Sequence, residues 1–150
     1  MRVLVTGGTG FTGKALVRRL VHMGHETIAL DYKEGLGTEE IRQWGARVVI
    51  GSVTDEPLVN KTMQGVEVVH HVAAAFRELN VPNNYYHQVN VGGTETVLKA
   101  AEKAGVKRLI YCSTCGVHGN VKNPPADEDA PIAAADYYQQ TKYEAEPLVN

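Results

Sequence analysis

The sequence has 150 residues and a net charge of −2, with a pI near 6.3; this is the length of one domain with room for a real core. Hydrophobic residues at 43% and charged residues at 21% describe a globular chain and exclude disorder, and the near-neutral charge offers no footprint for nucleic acid or an anionic membrane. No apolar run is long enough to span a bilayer, and the opening MRVLVTGG lacks the apolar core and cleavage site of a signal peptide, so a cytoplasmic protein is expected.

Short apolar runs alternate with longer amphipathic stretches along the chain. RVLVT (2–6) predicts a buried strand, followed by a glycine turn and a helix over 13–22 with Ala15, Leu16, Leu20 and Met23 at helical spacing. TIALD (27–31) is the second strand, EEIRQWG (39–45) a short helix closed by Gly45, and ARVVIG (46–51) the third strand. DEPLVNKTMQG (55–65) predicts a helix with an acidic first turn, Pro57 near its start and Gly65 at its end. VEVVHHVAA (66–74) is the fourth strand, and a long helix over 85–104 stops at Gly105. KRLIYCST (107–114) is the fifth strand, and a closing helix begins near Asp136. Strands that are near-continuous apolar runs, each followed by a helix, predict a parallel sheet covered on both faces. Right-handed crossovers make it a doubly wound α/β sheet of the Rossmann kind, in the order 3-2-1-4-5. The loop over 119–135, rich in proline and acid, is long enough to be either functional or a solvated connection.

VTGGTGFTG places Gly7, Gly10 and Gly13 three apart between the first strand and the first helix. Backbone N–H groups can approach a pyrophosphate only where side chains are absent, and the helix N-terminus adds positive partial charge there. Asp31 closes the second strand 18 positions after Gly13, the spacing of a carboxylate that accepts from the adenosine ribose hydroxyls. A carboxylate there repels a 2′-phosphate, which favours NAD, while Lys33 could offset part of the repulsion and admit NADP.

Tyr138 and Lys142 lie four apart on the closing helix, hence on one face. A phenol with an ordinary pKa near 10 needs a neighbouring positive charge to yield its proton near neutral pH. Lys142 and an oxidised nicotinamide would both supply it, with Tyr138 taking a proton from a substrate hydroxyl as hydride leaves the carbon. Tyr137 points about 100° away and is expected to pack. Cys112 and Cys115 form a C-x-x-C that raises a redox pair or half a zinc site. Zinc needs about four ligands and no second pair exists, so no metal site is expected and the two are read as small residues at a strand end. His71 reads as a buried, hydrogen-bonded histidine; His22 and His25 read as surface features of a helix end.

These segments resemble the extended branch of the short-chain dehydrogenase/reductase superfamily, the branch of nucleotide-sugar epimerases and dehydratases. TGGTGFTG has the extended-branch glycine spacing, VVHHVAA (68–74) is similar to the fourth-strand signature, NVGGT (90–94) to the segment opening the long helix, and STCGVHG (113–119) to the strand-five segment. The resemblance implies Thr114, Tyr138 and Lys142 as catalytic residues. It places Gly7, Gly10, Phe11, Thr12, Gly13, Asp31, Ser52, Val53, Ala73, Ala74, Asn90, Tyr138 and Lys142 at the cofactor, with Asn90 alternatively capping the long helix. His118 and Ser52 depart from residues common at those positions.

Members of that branch continue into a C-terminal substrate lobe, so residues 1–150 are expected to be the dinucleotide-binding domain with the lobe absent. The fifth strand then has an open edge, to be explained by truncation, by a dimer or by a partner chain. The resemblance also implies a homodimer through helices 85–104 and 136–146. Two functions compete: an NAD-dependent epimerase, dehydratase or dehydrogenase acting on a small-molecule substrate, and a dinucleotide-binding module without turnover. Nucleotide sugars are the first substrate choice, with hydroxysteroids or dihydroflavonol-type ketones second.

Overall fold

The computed structural model describes residues 1–78 and 80–149. Five parallel strands form one sheet in the order β3-β2-β1-β4-β5, with β1 at Arg2–Thr6, β2 at Glu26–Asp31, β3 at Arg47–Ile50, β4 at Val68–His71 and β5 at Arg108–Tyr111. This is the order read from the sequence. Register is continuous through the centre, with Leu4 opposite Ile28 on one side and Val69 on the other.

Alternation along β1 separates two cores. Leu4, Ile28, Leu30 and Val69 face α3 (Glu56–Thr62) and α5 (Gly93–Ala104), where Val59, Met63, Val97 and Ala101 close over them. Val3, Val5 and Ala29 face α1 (Phe11–His22) and α2 (Thr38–Gln43), packing on Val17, Leu20 and Ile41. Both faces are therefore covered, and the central strands bury apolar side chains on each.

The boundaries differ from the sequence reading where the chain turns toward the cleft. The α3 helix starts one residue later than expected because Asp55 is its N-cap, accepting from the Leu58 N–H at 3.1 Å. β4 and β5 each end earlier, and residues 72–75 and 112–114 leave the ladder to line the site. The long helix predicted over 85–104 is three pieces: α4 (Asn83–His87), a π-helical turn (Gln88–Gly92) and α5. Gly93 explains the close passage here, since a Cβ on it would stand 2.6 Å from Val53 Cγ2. Gly105 ends α5 in the left-handed conformation at φ 70°. The last helix, α6 (Tyr137–Val149), docks against α4, the π turn and α5. β5 pairs with β4 alone, and Ile110 on it is 40% exposed.

Candidate active site

The carboxyl ends of the strands open on a cleft of about 560 Å³, the place where an open parallel sheet binds ligands. At one end is the glycine turn. Gly7 holds φ 68°, and a Cβ on it would stand 2.8 Å from the Ala73 nitrogen, so the turn lies directly on the exit of β4. Gly13 lies so tightly under the same turn that a Cβ on it would collide with the Gly7 carbonyl. Gly10 is the N-cap of α1 and offers no capping side chain, which leaves the first-turn N–H groups of Phe11, Thr12 and Gly13 without intrahelical partners. The Phe11 side chain is fully exposed at the mouth.

Asp31 is 8% exposed. One carboxylate oxygen accepts from the Thr9 N–H at 3.0 Å and the other from the Tyr32 N–H at 2.9 Å. Each oxygen keeps acceptor capacity toward the cleft. Ser52, Val53, Ala73 and Ala74 line the wall beyond it. Tyr32, Lys33 and Glu78 complete this end; the Tyr32 hydroxyl donates to Glu78 Oε1 at 3.2 Å and the Lys33 ammonium lies 4.7 Å from the Tyr32 ring centroid.

Tyr138, Lys142, Cys112 and Ser113 form the opposite end. The Tyr138 ring packs edge-on against Phe76 at 4.8 Å. Burial raises the Tyr138 phenol above its ordinary value, and the Thr114 side chain, favouring the phenolate, offsets part of that. Lys142 is 1% exposed; burial lowers its ammonium to about 8, against the attraction of Cys112 and Glu146. Its nitrogen sits 3.9 Å from the centroid of the Tyr111 ring, so the charge expected to act on Tyr138 is first held by Tyr111. Thr114 itself lines an adjoining cavity of about 500 Å³ with Glu146 and with Asp127, Glu128 and Ile132 of the 119–135 loop. Its hydroxyl also accepts from the Gly116 N–H at 3.1 Å, capping a 3₁₀ turn (Cys115–His118).

Asn90 does not cap the long helix, and it reaches the cleft only through its hydrogen bonds to Ala75, which lines it. It is 1% exposed and does not line the cleft, and it is not the N-cap of α4 or α5. Its side chain accepts from the Ala75 N–H at 2.7 Å and donates to the Ala75 carbonyl at 3.2 Å and to Thr141 Oγ1 at 2.9 Å. The π turn thus clamps the β4 exit to α6 one residue before Lys142. His71 is fully buried, as expected. Thr94 spends its hydroxyl proton on the Asn90 carbonyl at 2.6 Å, so the His71 Nε2–H donates to Thr94 at 3.0 Å and Nδ1 accepts from Thr6 at 2.7 Å. Burial lowers His71 to about 3, with the Lys142 charge adding to it.

Two placements differ from the sequence reading. Tyr137 is 44% exposed at the start of α6, more open than a packing residue would be. Cys112 is not only a strand-end filler, because its exposed thiol lines the cleft beside Lys142. Thr9, Tyr32 and Glu78 were missed for want of any spacing rule, although Thr9 lies within the glycine motif itself. Among the described residues no cluster of His, Cys, Asp or Glu is placed to hold a metal ion, and no helix is long and apolar enough to cross a membrane.

Uncapped helix amides at one end, a cleft-facing carboxylate beside them and a Tyr–Lys pair at the other end are the arrangement of the short-chain dehydrogenase/reductase class. Residues 4–150 match the 3-beta hydroxysteroid dehydrogenase/isomerase family, and the chain belongs to it. A 3beta-hydroxysteroid-dehydrogenase/decarboxylase isoform 2 of Arabidopsis thaliana is 36% identical, over 97% of this chain and 28% of its own length. The UDP-glucose 4-epimerase of Bacillus subtilis is 30% identical, over 99% of this chain and 47% of its own. Among solved structures, a short-chain dehydrogenase/reductase superfamily protein from Agrobacterium tumefaciens with bound NAD superposes with a TM-score of 0.89 at 30% identity, covering 99% of this chain and 44% of that one. The chain spans less than half the length of the curated relatives it matches.

Proposed function

We propose that this chain is the dinucleotide-binding and catalytic part of an NAD-dependent oxidoreductase of the epimerase/dehydratase type, acting at a hydroxyl- or carbonyl-bearing carbon. One observation carries the reading: Tyr138 and Lys142 share a single cleft with Asp31 and the uncapped end of α1. The residues fit a dinucleotide, because the helix amides would take its pyrophosphate and Asp31 its adenosine ribose. NAD, when bound, supplies the hydride acceptor and a positive ring. Tyr138 would then take the substrate hydroxyl proton, with Ser113 and Thr114 orienting the oxygen and Lys142 among the residues that would hold the cofactor. NADP is the disfavoured cofactor, since Asp31 opposes a 2′-phosphate.

Nucleotide sugars are the substrate class we favour, in line with the UDP-glucose 4-epimerase relative. A hydroxysteroid or related ketone is the second reading, and the matching family favours it. In either case residues outside this span would select the substrate. We further propose a cytoplasmic protein that forms a homodimer through the α4–π turn–α5 segment and α6. Exposed Tyr137 and Tyr143 on α6 support that face.

The test titrates NAD and NADP by calorimetry. It then assays hydride exchange with UDP-glucose and with a 3β-hydroxysteroid, wild type against Tyr138→Phe. NAD binding with turnover abolished by the substitution supports an enzyme. Binding with no turnover, or turnover indifferent to the substitution, supports a cofactor-binding module. A monomer by light scattering would remove the dimer.

A further inference from the structure

The exit of β5 is joined to α6 through one carboxylate. Glu146 stands four positions after Lys142 and eight after Tyr138, on the same face of the helix. Its Oε1 accepts the Ser113 hydroxyl. Ser113 lines both the cofactor cleft and the smaller cavity, and Glu146 lines the latter beside Thr114. The bond therefore stands in the wall between the two spaces. The junction has three further contacts: the Lys142 ammonium lies 3.9 Å from the Tyr111 ring centroid, the Tyr111 hydroxyl donates to the Lys142 carbonyl at 3.2 Å, and Gly116 lies so close to Gln139 that a Cβ would stand 3.0 Å from the amide nitrogen.

We propose that Glu146 is a positioning residue of this site, holding Ser113, and through it the adjacent Thr114, in register with Tyr138 and Lys142. The proposal rests on the reading of Tyr138 and Lys142 given above. The two elements that carry the reacting groups are separated in the chain by the long loop, since β5 ends at Tyr111 and α6 starts at Tyr137, so their spacing is set by contacts of this junction. A hydroxyl at Thr114 that drifts from Tyr138 loses the substrate oxygen between them. The same carboxylate acts on Lys142. The Tyr111 ring of β5 lies 3.9 Å from that ammonium, and the titratable groups that act on it are the Cys112 thiol, His71 of β4, which burial keeps neutral, and Glu146 on α6. Glu146 is the one carboxylate among them, and it favours the charged lysine against burial.

Three variants of the full chain separate the two actions. Glu146→Gln keeps an oxygen for Ser113 and removes the charge, Ser113→Ala removes the bond and keeps the charge, and Glu146→Ala removes both. The first readout is the Lys142 titration midpoint by NMR of ¹³C-labelled lysine, assigned with Lys142→Arg. It is expected to fall by about one pH unit in both Glu146 variants and to hold in Ser113→Ala. The second is turnover of whichever substrate the wild type converts. Here kcat should fall about tenfold or more in Ser113→Ala and Glu146→Ala, with NAD affinity within about twofold and partial recovery in Glu146→Gln. A merely structural role would lower the melting temperature and leave both the midpoint and the split between kcat and affinity in place. A midpoint unmoved in Glu146→Gln overturns the proposal, as does a kcat unmoved in Ser113→Ala. The lysine titration needs neither cofactor nor substrate, so failure of NAD to bind would defeat the proposed function and leave the role of Glu146 to be decided by the midpoint alone.

Discussion

The Lys142 ammonium lies 3.9 Å from the centre of the Tyr111 ring, and the Tyr111 hydroxyl donates to the Lys142 carbonyl at 3.2 Å. One aromatic side chain thus holds both ends of the lysine, and a charge that burial opposes is kept at the cleft by a ring face. The arrangement is costly to the fold. The folded-state value of Lys142 is lowered to about 8 from 10.5, so between those values the unfolded chain holds a proton that the folded chain does not. Its contribution therefore becomes less unfavourable as pH rises from about 8 toward 10.5, and the full penalty stands at neutral pH. Lys142→Met, similar in length and apolar, should raise stability at pH 7 by roughly 1–3 kcal/mol while abolishing turnover. Thermal melts at pH 7 and pH 10 check this, and the advantage of the variant should shrink at the higher pH. A variant less stable than the wild type at pH 7 would show that the aromatic contact outweighs desolvation.

His71 gives the opposite end of the pH range. Burial lowers it to about 3 from 6.5, so its neutral form contributes stability that is complete above about 6.5 and is lost as pH falls toward 3. Over that window the slope from this residue should reach about 1.4 kcal/mol per pH unit. Replacing it by Gln should cost roughly 1–3 kcal/mol at pH 7, because Thr6 and Thr94 lose well-placed partners. The same change should flatten the acid limb. Urea unfolding at pH 7 and pH 5 reads both effects, and an unchanged limb would place the acid sensitivity elsewhere.

The sheet order and the glycine turn were legible because each rests on a local periodicity: apolar runs of strand length, and glycines three apart before a helix. The Tyr138–Lys142 pair was legible for the same reason, as a spacing along one helix. What the sequence did not show is held by contacts between distant segments. Asn90 lies 15 positions from Ala75 and 51 from Thr141, so its clamp has no spacing to betray it, and the π turn that aims it interrupts a pattern that reads as one helix. Likewise the lysine charge was read as acting on the tyrosine of its own helix, whereas the ring that holds it comes from β5.

Asn90→Ala tests that clamp. The substitution leaves the buried Ala75 N–H and carbonyl without their partners, at a cost of about 2–4 kcal/mol. Because Ala73, Ala74 and Ala75 line the cleft, the loosened segment should also weaken dinucleotide binding. Hydrogen exchange should report faster opening at residues 73–75 than at the centre of β1. Uniform acceleration across the sheet would mean that Asn90 stabilises the fold without ordering the cleft in particular.

Asp31 decides which dinucleotide the cleft prefers. Its two oxygens are held by the N–H groups of Thr9 and Tyr32, which fixes the carboxylate before any ligand arrives and leaves it facing the cleft. A ribose with free hydroxyls donates to it, whereas a 2′-phosphate meets a like charge. Asp31→Ser removes the charge and also releases two backbone donors at the same point, with the Lys33 ammonium two residues on. Donors released beside a cation are what a phosphate needs. NAD affinity should therefore fall about 10- to 100-fold, the worth of hydrogen bonds to a charged acceptor, while NADP affinity holds or rises. Lys33→Ala in the Asp31→Ser background should take away the NADP gain and leave NAD where it was. Calorimetric titration of both dinucleotides against the wild type and the two variants reads the outcome. An equal loss for NAD and NADP in Asp31→Ser would mean that the carboxylate orders the turn without choosing between them.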